Sequence, residues 1–187
     1  NQGEAHVGQT AVVFGSGCIG LCSLLALISH GVTNIIVVDV MQKRLDKALE
    51  LGATHVINSS KEDPVKKILE ITGGAGADLA IECAGLEITT NQAIHAVKKG
   101  SNIVLVGYSK TGKLTLEISL ALDKEITFKT VFRYRHIYPM AIEAVASGKI
   151  NLKGIVSNIF ELDNIQEAMD KSVADKANIV KSVVKIC

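Results

Sequence analysis

A glycine-rich hexapeptide near the start of the chain, with one acid downstream, is the part of the sequence best suited to bind an anionic ligand. The hexapeptide reads G-S-G-C-I-G at positions 15–20, and Asp39 follows nineteen residues after its last glycine. Gly15 allows a sharp turn, Gly17 lets the backbone approach a diphosphate, and Gly20 lets a helix pack closely on a sheet. The free N–H groups of a helix that starts here would hold the phosphates.

The segments around these residues follow the order strand, glycine turn, helix, strand and acid. Residues 11–14 and 35–38 are short apolar runs typical of buried parallel strands, and residues 18–29 predict a helix that ends before Gly31. This context predicts a dinucleotide-binding site in which Asp39 accepts hydrogen bonds from both adenosine ribose hydroxyls. A carboxylate repels a 2′-phosphate, so NAD is favoured over NADP. The hexapeptide alone would fit turn or packing glycines beside a surface acid equally well.

Length and composition limit the class of protein. The 187 residues fit one domain, or one domain with a fragment of another, and a hydrophobic content of 48% supplies a sizeable core. The net charge of +1 comes from interspersed acids and bases, so no nucleic-acid partner is expected. No apolar run is long enough to predict a membrane span. The four cysteines (Cys18, Cys22, Cys83 and Cys187) lack C-x-x-C spacing, which favours a reduced, cytoplasmic setting.

The rest of the chain alternates between short apolar runs and helix-like segments. Further strands are predicted at 55–57, 78–82, 103–106 and 126–132. Helices are predicted at 41–51, from an Asp63 N-cap and Pro64 through Ile71, and at 89–97 with residues 98–100 closing its C-terminus. This alternation predicts an α/β protein with a Rossmann-type, doubly wound parallel sheet of six strands in the order 3-2-1-4-5-6.

Ligands of such sheets bind beyond the carboxyl ends of the strands, so the residues that follow those ends should line one crevice. These residues are Gly15, Asp39, Cys83-Ala84-Gly85, Gly107 and Phe132-Arg133-Tyr134. The pattern changes after Tyr138-Pro139, where a helix is predicted at 140–147, a strand at 155–160, a helix capped by Asp163, and a strand at 179–186. A six-stranded sheet does not need these elements. We therefore expect a nucleotide-binding domain at 1–137 and a segment of another domain at 138–187.

The sequence resembles the medium-chain, zinc-type alcohol and polyol dehydrogenases over essentially its whole length. The resemblance is carried by Val7-Gly8-Gln9-Thr10, the 15–20 hexapeptide, Val38-Asp39, Gly52-Ala53, Gly76-Ala77-Asp78, Glu82-Cys83-Ala84-Gly85 and Val106-Gly107. Within the family, Val131-Phe132-Arg133-Tyr134 with Pro139 is most similar to the sorbitol (L-iditol) and xylitol dehydrogenases. Arg135 and His136 depart from that pattern.

The resemblance implies oxidation of a secondary alcohol or polyol by hydride transfer to NAD, with a catalytic zinc that polarises the alcohol oxygen. In the family, the zinc ligands belong to an N-terminal domain that precedes the glycine motif, and the tail after Pro139 completes that domain. The chain therefore resembles the C-terminal, cofactor-binding half of such an enzyme. We expect it to contain no metal ligand and no catalytic residue, with zinc only in the full-length enzyme, and to bind NAD without turnover.

The resemblance also implies roles for individual residues. The first turn of the helix, including Cys18 and Ile19, holds the phosphates with Gly15, Gly17 and Gly20, while Asp39 holds the ribose and Arg44 lies beside the adenine. Cys83, Ala84 and Gly85 let the cofactor pass close to the backbone, Val106 and Gly107 face the nicotinamide riboside, and Phe132 packs near the nicotinamide. Arg133 is the candidate substrate contact, because a guanidinium can donate two hydrogen bonds to a polyol. A charge at the end of an edge strand fits Arg133 equally well.

Two further expectations concern partners and competing functions. Residues 114–120 resemble the edge that pairs across a two-fold axis in family dimers, so a homodimer or homotetramer is expected. A butanediol or threonine dehydrogenase would share every nucleotide-binding residue named above. A non-catalytic NAD-sensing module would share the glycines and the acid, but not the Phe-Arg-Tyr segment or the tail.

Overall fold

The computed structural model describes residues 2–175 and 178–186, and its largest feature is a six-stranded parallel sheet. The strands are β1 (Thr10–Phe14), β2 (Asn34–Asp39), β3 (His55–Asn58), β4 (Ala77–Glu82), β5 (Val97–Leu105) and β6 (Thr127–Thr130). The order β3-β2-β1-β4-β5-β6 confirms the doubly wound topology predicted from the sequence. The helices between the strands are α1 (Cys18–Ser29), α2 (Gln42–Glu50), α3 (Pro64–Ile71), α4 (Glu87–Ala96) and α5 (Ile118–Asp123).

The central strand β1 explains why the fold has two apolar cores. Its side chains alternate between the two faces of the sheet, and residues 11–14 have no solvent exposure. Ala11 and Val13 pack in the cluster that contains buried residues of α1 and α2. Val12 and Phe14 pack in the second cluster, with buried residues of α3, α4 and α5. A strand covered on both sides needs the continuous apolar run that the sequence supplies.

The register aligns the carboxyl ends of five strands with the end of β1. One row of neighbouring residues crosses the sheet as Ile57, Val38, Phe14, Glu82, Leu105 and Thr130. The residues that follow this row therefore emerge side by side along one edge of the sheet. The glycine bend after β1 lies at the centre of that edge.

Local signals place several helix ends where the sequence predicts them. Helix α1 spans Cys18–Ser29, as predicted, and His30 is its C-cap residue. Gly31, which follows, has a positive φ of 79°. The carboxylate of Asp63 accepts hydrogen bonds from the N–H groups of Val65 at 2.9 Å and Lys66 at 3.3 Å, which confirms the predicted N-cap of α3.

The predicted junction between α4 and β5 is wrong. The helix ends at Ala96 and the strand begins at Val97, so residues 98–100 lie within β5 instead of closing the helix. The cation at the end of α4 is Lys124, which comes from the turn before β6. Its Nζ donates hydrogen bonds to the carbonyls of Ile94, His95 and Val97 at 3.0, 2.8 and 2.8 Å.

Three other predicted elements differ from the structure. Strand β6 ends at Thr130 and not at 132, because its partner β5 ends at Leu105 and Arg133 has a φ of 54° that breaks the extended conformation. Of residues 114–120, the last three belong to α5, so only 114–117 lie outside the helix. Asp163 does not cap a helix, because it lies in a 3₁₀ turn (Leu162–Asn164) that precedes α7 (Ile165–Ala174).

The segment after residue 137 contains α6 (Tyr138–Ala146), a 3₁₀ turn (Leu152–Ile155), β7 (Asn158–Glu161), α7 and β8 (Ser182–Lys185). Strands β7 and β8 form a separate two-stranded parallel sheet, while Ile155 is buried in the same core as α1. The boundary at residue 137 stays a prediction, and Cys187 lies outside the described residues. Within those residues, no helix is long and apolar enough to cross a membrane.

We expect Gly20→Ala to destabilise the fold. A Cβ at Gly20 would lie 1.8 Å from the carbonyl oxygen of Gly15, so the bend or the helix would have to move. Alanine is normally better than glycine in a helix by about 1 kcal/mol, yet overpacking of this kind costs about 1–3 kcal/mol. Urea unfolding of the variant should show a lower midpoint.

Gly17→Ala is the matched control, because a Cβ at Gly17 would have Arg44 Nη1 as its nearest atom, at 4.0 Å, and the φ of Gly17 is an ordinary −67°. This variant should unfold at the wild-type midpoint. Equal stability of the Gly20→Ala variant and the wild type would show that the close approach of α1 to the bend is not required.

Candidate functional site

The glycine bend between β1 and α1 leaves the sheet at its central strand. The N–H of Gly15 donates to the carbonyl of Val38 at 2.8 Å, and its φ of 91° lies in the region that glycine adopts without strain. A Cβ at Gly15 would lie 3.3 Å from the Cβ of Ala84, so the bend also packs against the loop after β4. The structure thus joins the ends of β1, β2 and β4 at one point.

Asp39 lies directly beside this bend. Its Oδ2 accepts hydrogen bonds from the backbone N–H of Ser16 at 2.7 Å and from the Ser16 hydroxyl at 2.8 Å. Its Oδ1 accepts a hydrogen bond from the N–H of Met41 at 2.9 Å. Asp39 is 9% exposed and Ser16 is fully buried. The predicted acid and the predicted glycine bend are therefore in contact, although they are separated by the whole of α1 in the sequence.

The space next to Gly17 is open. The nearest atom to a Cβ at Gly17 would be Arg44 Nη1 at 4.0 Å, so a guanidinium lies at the edge of this space. The first-turn N–H groups of α1 have no carbonyl partner within the helix, as in any α-helix. Cys18 is half-buried here and Ile19 is 54% exposed. Donors, a positive helix end and a cation thus surround a position without a side chain, which is what a diphosphate requires.

Glu82 holds the loops that follow β4 and β5. Its carboxylate, 1% exposed, accepts hydrogen bonds from the N–H groups of Ala84 and Gly85 at 2.9 Å and from the Thr89 hydroxyl at 2.7 Å. Its backbone carbonyl accepts from the N–H groups of Val106 at 2.8 Å and Gly107 at 2.9 Å. One residue therefore fixes both of the loops that are predicted from the sequence to lie along a cofactor.

The two loops touch through their glycines. A Cβ at Gly107 would lie 2.1 Å from the nitrogen of Gly85, and a Cβ at Gly85 would lie 2.5 Å from the carbonyl oxygen of Tyr108. The two loops therefore contact each other through backbone atoms, at a distance that side chains would prevent.

Cys83 is a partly buried small residue at the start of the first loop. Burial raises the pKa of its thiol to about 12, and its Sγ lies 3.7 Å from the hydroxyl of Ser23. Burial likewise raises the pKa of Cys22 to about 11. Thiols with raised pKa values are poor nucleophiles and poor metal ligands, so a packing role fits Cys83 better than redox chemistry.

Phe132 and Arg133 lie on an exposed turn after β6. The Arg133 guanidinium carbon is 5.3 Å from the centroid of the Phe132 ring, and 72% of Phe132 is exposed. Together with Tyr134, Arg135 and Tyr138, they line a cavity of about 690 Å³. Within the described part of the chain, no hydrogen bond joins Phe132 or Arg133 to the glycine bend. The register, with Leu105 beside Thr130, and a hydrogen bond of 3.0 Å from the N–H of Val131 to the carbonyl of Leu105 join the start of this turn to the strand that precedes the Gly107 loop.

Sequence reasoning missed the contributions of Ser16 and Glu82. Ser16 occupies one of the variable positions of the hexapeptide, and no pattern shows that its side chain points to an acid beyond the next helix. Glu82 stands in the sequence only as one residue of a longer motif. An acid at the end of a buried strand, followed by a glycine-containing turn, was the available signal, because such a carboxylate needs N–H partners.

The described residues offer no site for a metal ion. No group of three or more histidine, cysteine, aspartate or glutamate side chains within residues 2–175 and 178–186 is arranged to hold one. His95 is paired with Glu117, with Nε2 2.9 Å from Oε2.

Comparison with known proteins identifies the family. A family model described as zinc-binding dehydrogenase matches residues 18–147. The uncharacterized zinc-type alcohol dehydrogenase-like protein YdjJ of Escherichia coli K12 is 41% identical over 98% of this chain and 52% of its own length. The sorbitol dehydrogenase of Bacillus subtilis is 33% identical over 95% of this chain and 50% of its own length.

A solved structure of an Escherichia coli oxidoreductase/dehydrogenase of unknown specificity, ECK1772, superimposes with a TM-score of 0.93 at 39% identity, covering 99% of this chain and 53% of that one. The chain thus spans about half the length of the relatives that it matches. Because the family model matches residues 18–147, well over half of the chain, the chain belongs to the zinc-binding dehydrogenase family.

Proposed function

We propose that this chain is the NAD-binding part of a dehydrogenase that oxidises a secondary alcohol, such as a polyol of the sorbitol or xylitol type, to a ketone. The observation that carries the proposal is the contact between Asp39 and the glycine bend, next to an open space at Gly17. A buried carboxylate and a set of free N–H groups at this distance can hold the ribose and the diphosphate of one dinucleotide.

The chain's own residues bind and orient the cofactor. Gly17 and the first turn of α1 (Cys18, Ile19 and Gly20) receive the diphosphate, with Arg44 beside it, and Asp39 accepts a hydrogen bond from the adenosine ribose. The backbone of the loops at Ala84-Gly85 and Val106-Gly107 runs along the cofactor, and Phe132 packs near its reactive ring. NAD, when bound, accepts a hydride from the alcohol carbon. Zinc belongs in this proposal to the full-length enzyme, so the chain alone has no means of activating the alcohol oxygen.

Arg133 is the proposed substrate contact of this chain. It follows β6, the strand next to the Gly107 loop, and its ring contact with Phe132 holds the guanidinium close to the proposed nicotinamide position. Its φ of 54° is rare for a residue with a side chain, and such conformations are concentrated at functional sites.

We also propose that the full enzyme forms a homodimer through residues 114–117. Side chains of α4 form hydrogen bonds with one side of this stretch. Glu87 Oε2 accepts from the N–H of Thr115 at 2.8 Å, while the side chain of Asn91 donates to the Thr115 carbonyl and accepts from the N–H of Glu117, both at 2.9 Å. Glu87, Asn91 and His95 are spaced four residues apart on one face of α4.

The outer edge of the same stretch is open. Among the described residues, the N–H groups of Leu114 and Leu116 and the carbonyl of Leu114 have no hydrogen-bond partner. An ordered stretch with unpaired backbone groups on one side is suited to pairing with a second copy.

Cofactor binding is tested first with the 187-residue chain. NAD at about one hundred times its Kd should stabilise the fold by about 2.7 kcal/mol, seen as a rise in Tm, whereas S-adenosylmethionine should have no effect. Gly17→Ala places a methyl group in the diphosphate space, so its NAD affinity in calorimetry should fall at least about tenfold while its unliganded Tm is unchanged. Equal NAD affinity of this variant and the wild type would remove Gly17 from the site.

The substrate contact requires an enzyme in which this chain is joined to a zinc-bearing catalytic domain. There, Arg133→Ala should raise the KM for a polyol by about tenfold, through loss of hydrogen bonds from a charged donor. Arg135→Ala, on the same turn, is the matched control and should keep the wild-type KM. An unaltered KM in the Arg133→Ala variant would dismiss the contact.

The dimer is tested with the same enzyme by sedimentation. Asn91→Ala removes two of the hydrogen bonds by which α4 orders the 114–117 stretch, so the dimer dissociation constant should rise about tenfold or more. Gln92→Ala changes the adjacent residue of α4, which has no such bond, and should leave dissociation unchanged. A wild-type enzyme that remains monomeric at high concentration would argue against the proposed interface.

A further inference from the structure

The carboxylate of Asp39 is held by three donors from the chain itself. Two of them belong to Ser16, whose N–H and hydroxyl both lie within 2.8 Å of Oδ2, and the third is the N–H of Met41 at Oδ1. Ser16 has no solvent exposure, so its hydroxyl cannot exchange this bond for one to bulk water. The acid is therefore fixed in one orientation before any ligand arrives.

We propose that the Ser16 hydroxyl is a positioning group that sets the preference for NAD over NADP by holding Asp39 in this orientation. The inference rests on the proposed function, since it requires a dinucleotide at the glycine bend. Ser16 acts through Asp39 and needs no contact of its own with the cofactor.

The physical argument concerns the freedom of a charged side chain. A carboxylate offers about four acceptor positions, and three are occupied here, which leaves one position, on Oδ1, for a single ribose hydroxyl in place of the two expected from the sequence. A 2′-phosphate brings negative charge and no donor to the same place. A free carboxylate could rotate away from that charge, whereas one held by Ser16 and Met41 cannot. Because Ser16 and Met41 hold Asp39 in this orientation, the carboxylate favours a ribose hydroxyl and cannot move away from a 2′-phosphate that it repels.

A structural role for the same hydroxyl would have different consequences. If the hydrogen bond served only to stabilise the bend, its loss would lower the Tm and would reduce the affinities for NAD and NADP by the same factor. A positioning role instead changes the ratio of the two affinities, and the change depends on the presence of the Asp39 carboxylate.

The experiment is a double-mutant cycle on the 187-residue chain. The Kd values for NAD and NADP are measured by calorimetry for the wild type, Ser16→Ala, Asp39→Ala and the double variant, with the unliganded Tm of each recorded. Ser16→Ala should lower the ratio of the NADP Kd to the NAD Kd by about five- to tenfold, consistent with the loss of one hydrogen bond to a charged group. In the Asp39→Ala background the same substitution should leave the ratio unchanged.

Ser29→Ala is the matched control, because the Ser29 hydroxyl donates to the carbonyl of Ala26 at the far end of the same helix. Its ratio should equal that of the wild type. The inference is overturned if Ser16→Ala weakens the binding of both nucleotides equally or leaves the ratio of the two Kd values unchanged. It is also overturned if Ser16→Ala changes that ratio by the same factor in the Asp39→Ala background. In each of these cases the wild type still binds NAD. A wild type that binds neither nucleotide would instead refute the proposed function and, with it, this inference.

Discussion

The close approach of α1 to the preceding bend is the constraint on which the site depends. The first turn of the helix lies so near the carbonyl of Gly15 that a single methyl group at Gly20 would overlap it. This approach places the helix N-terminus directly at the edge of the central strand. Because the register aligns the neighbouring strand ends in one row, the bend, the end of β2 and the loop after β4 meet at that point. A wider turn would carry the helix N-terminus away from Asp39.

The loops after β4 and β5 meet through their backbones, and Glu82 explains how they are kept in place. The buried Glu82 carboxylate accepts hydrogen bonds from the N–H groups of Ala84 and Gly85. Its backbone carbonyl accepts hydrogen bonds from those of Val106 and Gly107. Hydrogen bonds stabilise this carboxylate, and among residues 2–175 and 178–186 no cation forms an ion pair with it. Glycines at the contact then let the two loops approach to a distance that a Cβ would prevent.

The parts of the fold that could be predicted are those encoded by short stretches of sequence. The apolar run of β1, the Gly31 stop of α1 and the Asp63 cap each act within a few residues, and the strand order follows from their alternation with helices. The end of α4 could not be predicted, because its cationic cap, Lys124, comes from a later turn. The hydrogen bonds from Ser16 to Asp39 could not be predicted for the same reason. Both depend on contacts between segments that only the folded chain brings together.

This distribution of contacts separates the proposed choice of cofactor from the proposed choice of substrate. Cofactor recognition rests on a buried, hydrogen-bonded centre in which Ser16 and Asp39 have little freedom, so small changes there would disturb the sheet edge. The only side chains proposed to reach a substrate lie on the exposed turn after β6, where Arg133 and His136 both have positive φ values. The side chains of that turn can be substituted without disturbing the aligned ends of the strands. On the proposed function, one nucleotide site could therefore be kept while the side chains of this turn vary.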